Sequence, residues 1–297
     1  MNSTDSDNDN IIIAGNYDIE INLPTFIEMS RKAKHEEDIH RLHALDKIIF
    51  DENEKMDRIN ESGVGFYKFN KTNGYVIAKM PDYICNIIDK RVTDAYNNCD
   101  NRDSLNNILV GNIEKQYALP IDDELEHYVA ELCKFYISSF PGFQMQMQMW
   151  GGAASNAGLS MNLPTPENTF TFNLEIVEVW ANYMKKTEFN PVHHHAGLFS
   201  FVIWHKIPYD IKTEILNSPS KRFDGSNTTG SFEFIVPAFN KPGMETCLIM
   251  ADKKYEGAII VFPSYINHVV WPFYTSDEYR ISLSGNVKIK NSLKTRD

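Results

Sequence analysis

The distribution of apolar and polar residues divides the 297-residue chain into two parts of different character. From residue 169 onward, short runs of β-branched and aromatic residues alternate with turn-forming residues, a pattern typical of strands. Seven such runs within residues 169–290 predict a β-sandwich or jelly roll. The runs are Thr169–Met184, Leu198–Pro208, Ser231–Val236, Cys247–Ala251, Gly257–Pro263, His268–Phe273 and Arg280–Lys290.

Helical periodicity dominates the preceding part of the chain, from about residue 82 to residue 139. In its last stretch, residues 122–139, apolar residues recur on one helical face. The acidic residues Asp122–Glu124 occupy the first turn, where they suit the positive end of the helix dipole. Further upstream, Asn73-Gly74 separates two short apolar runs and predicts a β-hairpin. We therefore expect a mainly β protein with N-terminal helices.

The ends and breaks of the pattern predict the domain organisation. Residues 1–10 are polar and acidic, and residues 1–15 are predicted to form a disordered acidic tail. The remainder, residues 16–297, is expected to form one domain, with a helical and mixed part over residues 16–168 and a β-rich core over residues 169–290. The N-terminus lacks the basic and apolar regions of a signal peptide, and no stretch approaches 18 uninterrupted apolar residues. We therefore expect a cytoplasmic protein without a membrane span, in the host cytoplasm if the chain is viral.

The charge of the chain is distributed unevenly between these parts. The 40 acidic and 29 basic residues give a net charge of −11, which argues against a general nucleic-acid binder. Residues 1–168 hold 27 of the acidic and 15 of the basic residues, whereas residues 169–297 hold 13 and 14. The β-rich part is therefore nearly neutral. It can accept an anionic ligand even though the whole chain is acidic.

Three consecutive histidines, His193-His194-His195, lie in a predicted turn between two predicted strands. On an extended chain, residues i and i+2 project to the same face. His193 and His195 could therefore bind one metal ion together, while His194 points away. The four cysteines of the chain show no CxxC spacing and are expected to be buried thiols.

A third metal ligand must come from another part of the chain. The predicted strand of residues 257–263 is followed by a turn that ends in His268, and Arg280 opens another predicted strand twelve residues later. A guanidinium within an apolar strand is costly unless it meets an anion, and its planar fork matches a carboxylate. Two close histidines, a distant histidine and an arginine one strand further fit a mononuclear iron site with a bound keto acid.

The strings around these residues resemble the iron(II)/2-oxoglutarate-dependent oxygenases. Within that superfamily they most resemble a group carried by marine tailed phages and some bacteria. The resemblance is strong over residues 169–290, partial over 80–150 and negligible over 1–60. The matching strings are Leu109–Ile113, Trp180–Tyr183, Phe189–His195, Phe199–Trp204, Gly257–His268, Val269–Pro272 and Arg280–Asn286.

This resemblance implies a double-stranded β-helix, a jelly-roll or cupin-like core packed with helices. It implies iron(II) and 2-oxoglutarate as cofactors, with His193 and His268 as metal ligands. Arg280, together with Ser282, would hold the distal carboxylate of 2-oxoglutarate, and Asn182 would hydrogen-bond the same cosubstrate. The implied activity is hydroxylation of a small-molecule or peptidyl substrate by molecular oxygen, with release of succinate and carbon dioxide.

The sequence departs from the usual motif of this superfamily at one ligand. The usual motif is His-x-Asp or His-x-Glu, whereas the position two after His193 holds His195. A three-histidine site is therefore the main prediction. A carboxylate from a neighbouring strand, Glu175 or Glu178, is an alternative third ligand.

Two other functions remain open from the sequence. If the register is shifted, Ala196 or Gly197 takes the position of the carboxylate, as in iron/2-oxoglutarate halogenases, which place a halide there. A non-catalytic β-sandwich module stabilised by its metal is the second alternative. The sequence does not identify the substrate or the oligomeric state.

Overall fold

A computed structural model describes most of the chain beyond residue 53. The described residues are 47, 51, 54–61, 63–70, 72–98, 104–106, 108–143, 146, 174–219, 227–238 and 242–290. The chain divides into two compact units, residues 1–51 and residues 52–297, and the fold below is that of the second unit. The predicted tail and the predicted domain start at residue 16 lie outside the described residues.

Eleven strands occur in the described part of the second unit. They are β1 (Val64–Lys68), β2 (Gly74–Lys79), β3 (Lys115–Leu119), β4 (Leu174–Met184), β5 (Asn190–His193), β6 (Phe199–Lys206), β7 (Phe232–Pro237), β8 (Met244–Ile249), β9 (Ala258–Pro263), β10 (Asn267–Val270) and β11 (Arg280–Ile289). Seven form one sheet in the order β1-β2-β9-β6-β11-β4-β3, and four form a second in the order β5-β10-β7-β8. Neighbouring strands are antiparallel in both sheets.

Helices cover one face of the seven-stranded sheet. These are α1 (Asp82–Asn97) and α2 (Asp123–Ser139), whereas a short helix, α3 (Ile211–Asn217), and a 3-10 turn (Lys253–Tyr255) follow later in the chain. Helix α2 packs on β2, β4 and β9, and α1 packs on α2 and β3. The buried side of α2, which includes Val129 and Tyr136, joins sheet residues such as Phe201 and Val261 in one apolar core.

Alternation along two neighbouring strands, β4 and β11, separates this core from a cavity on the other face. Ala181 and Tyr183 of β4 belong to the apolar core, whereas Trp180, Asn182 and Met184 line the cavity. In β11, Leu283 faces the core in the same way. Because successive strand residues point to opposite faces, the same strands both anchor the helices and build the cavity.

Several sequence predictions of secondary structure are confirmed. The hairpin around Asn73-Gly74 is formed by β1 and β2. The helix predicted over residues 122–139 begins at Asp123, one residue after its N-cap Asp122, and has acidic residues in its first turn. The architecture is mainly β, with two antiparallel sheets and a few helices. Among the described helices, none is both long and apolar enough to cross a membrane.

Two segments differ from their predictions because distant residues decide their structure. Residues 115–119, expected within a helical region, form β3 and pair with residues 179–183 of β4. Asn190–His193, expected in a turn, form the short edge strand β5, in which Pro191 is tolerated because an edge strand needs fewer ladder bonds. Both strands lie at the end of their sheet, where one neighbour alone holds them.

Candidate metal centre

Strand pairing in the smaller sheet brings the distant histidines together. His193 ends β5 and is the direct register partner of His268 in β10. His195 follows in the next loop, where its backbone N–H donates to the carbonyl of Ser264 at 2.9 Å. Within the described residues, one ligand nitrogen from each of these three histidines lies within 4.8 Å of the other two. The Nε2 atoms of His195 and His268 are 3.2 Å apart.

Backbone carbonyls orient two of the three rings. Nδ1 of His193 lies 2.6 Å from the carbonyl oxygen of Pro191, and Nδ1 of His268 lies 3.0 Å from that of Ile266. A carbonyl only accepts hydrogen bonds, so each Nδ1 carries the proton and each Nε2 keeps its lone pair. This is the arrangement that fixes the tautomer and the direction of a metal-ligating histidine.

Burial keeps the three imidazoles neutral. Desolvation lowers the pKa of His193 and, together with repulsion from the neighbouring histidines, lowers that of His195 to about 4. His268 is 1% exposed, and burial lowers its pKa well below the ordinary value. Since only a neutral imidazole offers a lone pair to a metal, the cluster is ready to bind a cation at neutral pH.

Aromatic rings enclose the cluster. The ring of Phe232 stacks on His268 with centroids 5.2 Å apart, and that of Phe262 meets His268 edge-on at 5.0 Å. Trp180 belongs to one of the strings that resemble the oxygenases. Its ring centroid lies 5.5 Å from that of His195, and the side chain is buried. These rings restrict water on one side of the histidines and hold their planes in place.

Arg280 lies in the same cavity as the three histidines. It is 5% exposed, and its Nη1 donates to the Tyr209 hydroxyl at 2.9 Å and to the Gly230 carbonyl at 3.0 Å. Its Nη2 donates to the Trp271 carbonyl at 3.0 Å. Its described partners include no carboxylate, so the buried positive charge has polar contacts without a neutralising anion.

Ser282 and Asn182 extend the polar lining next to Arg280. They are register partners on β11 and β4, and both line the cavity. The Asn182 side-chain amide donates to the hydroxyls of Ser282 and Ser284 at 3.5 and 3.4 Å. Its oxygen accepts a hydrogen bond from Nε2 of Gln116 at 2.8 Å. The predicted cosubstrate residues therefore form one continuous polar layer under the histidines.

The alternative ligands lie outside the histidine cluster. Glu175 pairs with Lys288 at 3.1 Å, and Glu178 accepts from the Asn286 amide at 2.6 Å. His194 is exposed, as expected for the middle residue of the triplet. Gly197 has a φ of +104°, and a Cβ there would lie 2.9 Å from the Val287 carbonyl. Backbone geometry thus requires a glycine at this position.

Three further residues of the cavity were missed by the sequence analysis. Tyr209 contacts Arg280, while Gln116 and Asn190 line the region beside the histidines. Tyr209 and Gln116 lie in segments without a recognisable motif, 71 and 66 residues from their partners Arg280 and Asn182. Asn190 stands in the string Asn190-Pro191-Val192-His193, so its closeness to the histidines was the one available signal.

Comparison with known proteins gives one family match and weak structural likenesses. Residues 178–286 match a family described as "Putative 2OG-Fe(II) oxygenase", and this range holds the three histidines and Arg280. An oxidoreductase of the 2OG-Fe(II) oxygenase family from Burkholderia pseudomallei is 21% identical over 39% of this chain, with a TM-score of 0.27. This chain spans 44% of that protein's length. A Pseudomonas putida prolyl-4-hydroxylase is 11% identical over 80% of this chain and 97% of its own, with a TM-score of 0.37. No curated protein matches the sequence.

Proposed function

We propose that this protein is an iron(II)- and 2-oxoglutarate-dependent oxygenase that hydroxylates its substrate. One observation carries the proposal. Three imidazoles with converging ligand nitrogens share a cavity with a buried guanidinium that has no carboxylate among its described partners. The family match over residues 178–286 supports the same assignment. The two facing antiparallel sheets are consistent with the double-stranded β-helix that the sequence resemblance implies.

The donor set of the cluster fits iron(II). His193, His195 and His268 would supply three nitrogen ligands from one side, and imidazole is a common ligand of iron. The opposite side faces the cavity, so positions for further ligands stay open. Because three neutral imidazoles add no charge, a metal held by them would keep its full +2 charge, whereas a carboxylate ligand would reduce it.

The other end of the cavity fits the carboxylate of a keto acid. Arg280 offers a planar donor group that matches a carboxylate, and Tyr209 and Gly230 hold it in position. Asn182 and Ser282 offer an amide and a hydroxyl on the adjacent strand positions. When bound, iron and 2-oxoglutarate would activate oxygen to hydroxylate a C–H bond, with succinate and carbon dioxide as co-products.

The residues of this chain then have distinct tasks in the proposed reaction. The carbonyls of Pro191 and Ile266 hold the tautomers of His193 and His268, so that both Nε2 atoms stay directed to one point. Phe232 and Phe262 exclude water from the histidine side of the cavity. Arg280 provides the fixed positive charge that orients an incoming dianion.

Anaerobic titration of the purified protein with iron(II) and 2-oxoglutarate tests this function. We expect an absorption band at about 500 nm, as is typical of this class of chromophore. Succinate should then form when oxygen is added. His268→Ala should abolish both signals because it removes a buried ligand. His194→Ala is the matched control, since His194 is the exposed neighbour of two ligands. A protein that binds neither iron nor 2-oxoglutarate would disprove the proposal.

A further inference from the structure

A second cavity lies beside the histidine cluster and differs in chemistry from the Arg280 side. It shares Trp180, Asn190, His193 and His195 with the first cavity, and Gln116 and Glu178 line it alone. Among the described residues its lining contains no lysine or arginine, and Glu178 carries its formal charge. The Arg280 side therefore favours an anionic group, whereas the second cavity, with its acceptor oxygens, favours a hydrogen-bond donor or a cation.

Two buried oxygens in this second cavity have no hydrogen-bond donor among the described residues. They are Oε1 of Gln116, a side chain that is 1% exposed, and Oδ1 of Asn190. Gln116 already uses its Nε2 to donate to Asn182, so its amide is held by that bond. Buried acceptors without donors are costly, and native proteins seldom keep them unless a ligand or water supplies the missing hydrogen.

The two oxygens are near enough to serve one donor group. The position that a Cβ on Gly111 would take lies 2.2 Å from the Asn190 oxygen and 3.3 Å from the Gln116 oxygen, so both oxygens lie beside the Gly111 backbone. Gly111 belongs to the string Leu109–Ile113, to which the proposed reaction assigns no task. Asn112 of the same string forms a bridge with Phe189, so the backbone at Gly111 is fastened beside the start of β5. Glycine at 111 lets the backbone approach the two amides closely, since a Cβ there would collide with the Asn190 oxygen.

The entrance of this cavity is apolar. Ile108 and Val110, which flank the cavity, are 76% and 60% exposed. Large apolar side chains exposed at the rim of a cavity mark a surface that an organic ligand covers. A ligand that satisfies the whole cavity therefore combines an apolar part with a terminal hydrogen-bond donor.

We propose that the second cavity binds the primary substrate of the oxygenase through an N–H donor group, received by Gln116, Asn190 and the Glu178 carboxylate. The shared chemistry is the N–H group, carried by a protonated amine or by an amide, next to an aliphatic chain that lies on Ile108 and Val110. Carboxylates and phosphates are disfavoured because the described lining has no lysine or arginine and the Glu178 carboxylate would repel an anion. The inference rests on the proposed function in calling this ligand the substrate; the binding itself does not depend on iron.

Ligand-observed NMR with the full-length protein tests this class directly. The probes are n-butylamine, butyramide and butyrate at equal concentrations, first with the metal-free protein. We expect saturation transfer to the amine and the amide and at least tenfold less to butyrate. A stronger signal for the amine than for the amide assigns a role to Glu178, and Glu178→Gln should then remove the difference. Equal binding of butyrate, or no binding of either N–H probe, overturns the proposal.

Two variants separate ligand recognition from internal hydrogen bonding. Asn190→Leu removes one unpartnered oxygen, so we expect weaker binding of the N–H probes with an unchanged or higher melting temperature. If the amides of Gln116 and Asn182 were both reversed, Gln116 would donate to Asn190, and Asn190→Leu would lower the melting temperature instead. That result, or unchanged probe binding in the variant, overturns the inference. Gly111→Ala should also weaken probe binding, because its methyl group would collide with the Asn190 oxygen and displace it.

Loading the protein with iron(II) separates this inference from the proposed function. If the probes bind beside the histidines, the paramagnetic ion should broaden their proton signals in wild type but not in His268→Ala. Binding without any effect of iron would contradict the proposed metal site and leave the N–H site intact. Iron and 2-oxoglutarate binding without probe binding would contradict the N–H site alone.

Discussion

Replacing Arg280 by methionine separates an enzyme with a cosubstrate site from a protein in which the arginine only packs. Arg280 makes three hydrogen bonds to oxygen atoms, at 2.9 Å to Tyr209 and 3.0 Å to Gly230 and Trp271. Methionine keeps an unbranched apolar stem of similar length but offers no donor. Arg280→Met therefore removes the charge and the donors while retaining most of the packing against Phe273.

The structure sets the expected size of two separate effects. Charge-assisted hydrogen bonds contribute about 1.5–3 kcal/mol, so losing the guanidinium should weaken 2-oxoglutarate binding about 10- to 150-fold. The fold should suffer much less. The Gly230 carbonyl keeps the Tyr209 hydroxyl as a donor at 2.7 Å, and the Trp271 carbonyl loses the hydrogen bond that Arg280 donates to it. That cost, about 1–3 kcal/mol, is offset because a buried charge without an anion is also removed.

Anaerobic calorimetry with the iron-loaded protein measures the affinity, and urea unfolding measures the stability. Arg280→Lys is the matched control, since it retains the positive charge without the planar fork and should bind 2-oxoglutarate with intermediate affinity. An unchanged Kd for Arg280→Met in a folded protein would refute the assigned role. It would favour the non-catalytic, metal-stabilised module among the alternatives that the sequence leaves open.

Three further predictions follow from contacts around the site. Tyr209→Phe removes a hydroxyl that holds Arg280 and should raise the Kd for 2-oxoglutarate about 2- to 12-fold, less than Arg280→Met; a larger effect would mean direct contact with the ligand. The metal-free protein should lose stability as pH falls from 6.5 towards 4. In this range His195 is protonated in the unfolded chain but stays neutral in the folded protein, where its pKa is about 4. Urea unfolding at several pH values should show this slope, and His195→Gln should reduce it; an equal slope in both proteins would contradict the cause. Gly285→Ala places a methyl group 2.7 Å from the Glu178 carbonyl and against the Phe201 ring, and should cost about 1–3 kcal/mol of unfolding free energy. An unchanged urea midpoint would show that the sheet adapts.

Local patterns were sufficient where neighbouring residues determine the structure. Helix α2 has its apolar face, its acidic first turn and its N-cap within 18 consecutive residues, 122–139, and its start is predicted to within one residue. The hairpin of β1 and β2 is likewise specified by Asn73-Gly74 and its flanks. Both elements are recognisable because their stabilising contacts are short-range in sequence.

Strands β3 and β5 show why the remaining fold was not predictable in this way. Each is only four or five residues long and is held by one neighbouring strand. Tyr117 of β3 pairs with Ala181, and His193 of β5 pairs with His268, so the decisive contacts lie more than 60 residues away. A single sequence contains no record of such pairing, and Pro191 makes β5 resemble a turn.

The residues of the candidate site also differ in how far the sequence alone could identify them. The histidines and Arg280 were found because their residue types are rare at such positions and their strings resemble an oxygenase family. Asn190 lies in one of these strings, but an amide is ordinary in any loop or strand, and Gln116 has no comparable signal. The role proposed for both rests on two oxygens without donors among the described residues, and this is a property of three-dimensional packing.

The third histidine and the amide-lined cavity are connected by charge. With a carboxylate ligand, an iron centre holding dianionic 2-oxoglutarate would carry a net negative charge, whereas His193, His195 and His268 would leave it neutral. A negative centre would itself attract a cationic substrate, but a neutral one gives little guidance. Under this proposal Gln116, Asn190 and Glu178 provide the acceptor oxygens next to the histidines, in the second cavity. A histidine in place of a carboxylate ligand would then transfer the selection of an N–H group from the metal centre to the cavity wall. In that case, His195→Asp should increase amine binding in the iron-loaded protein even when Asn190 is replaced by leucine, provided iron is retained. Amine binding that stays as weak as in Asn190→Leu alone would contradict this electrostatic link.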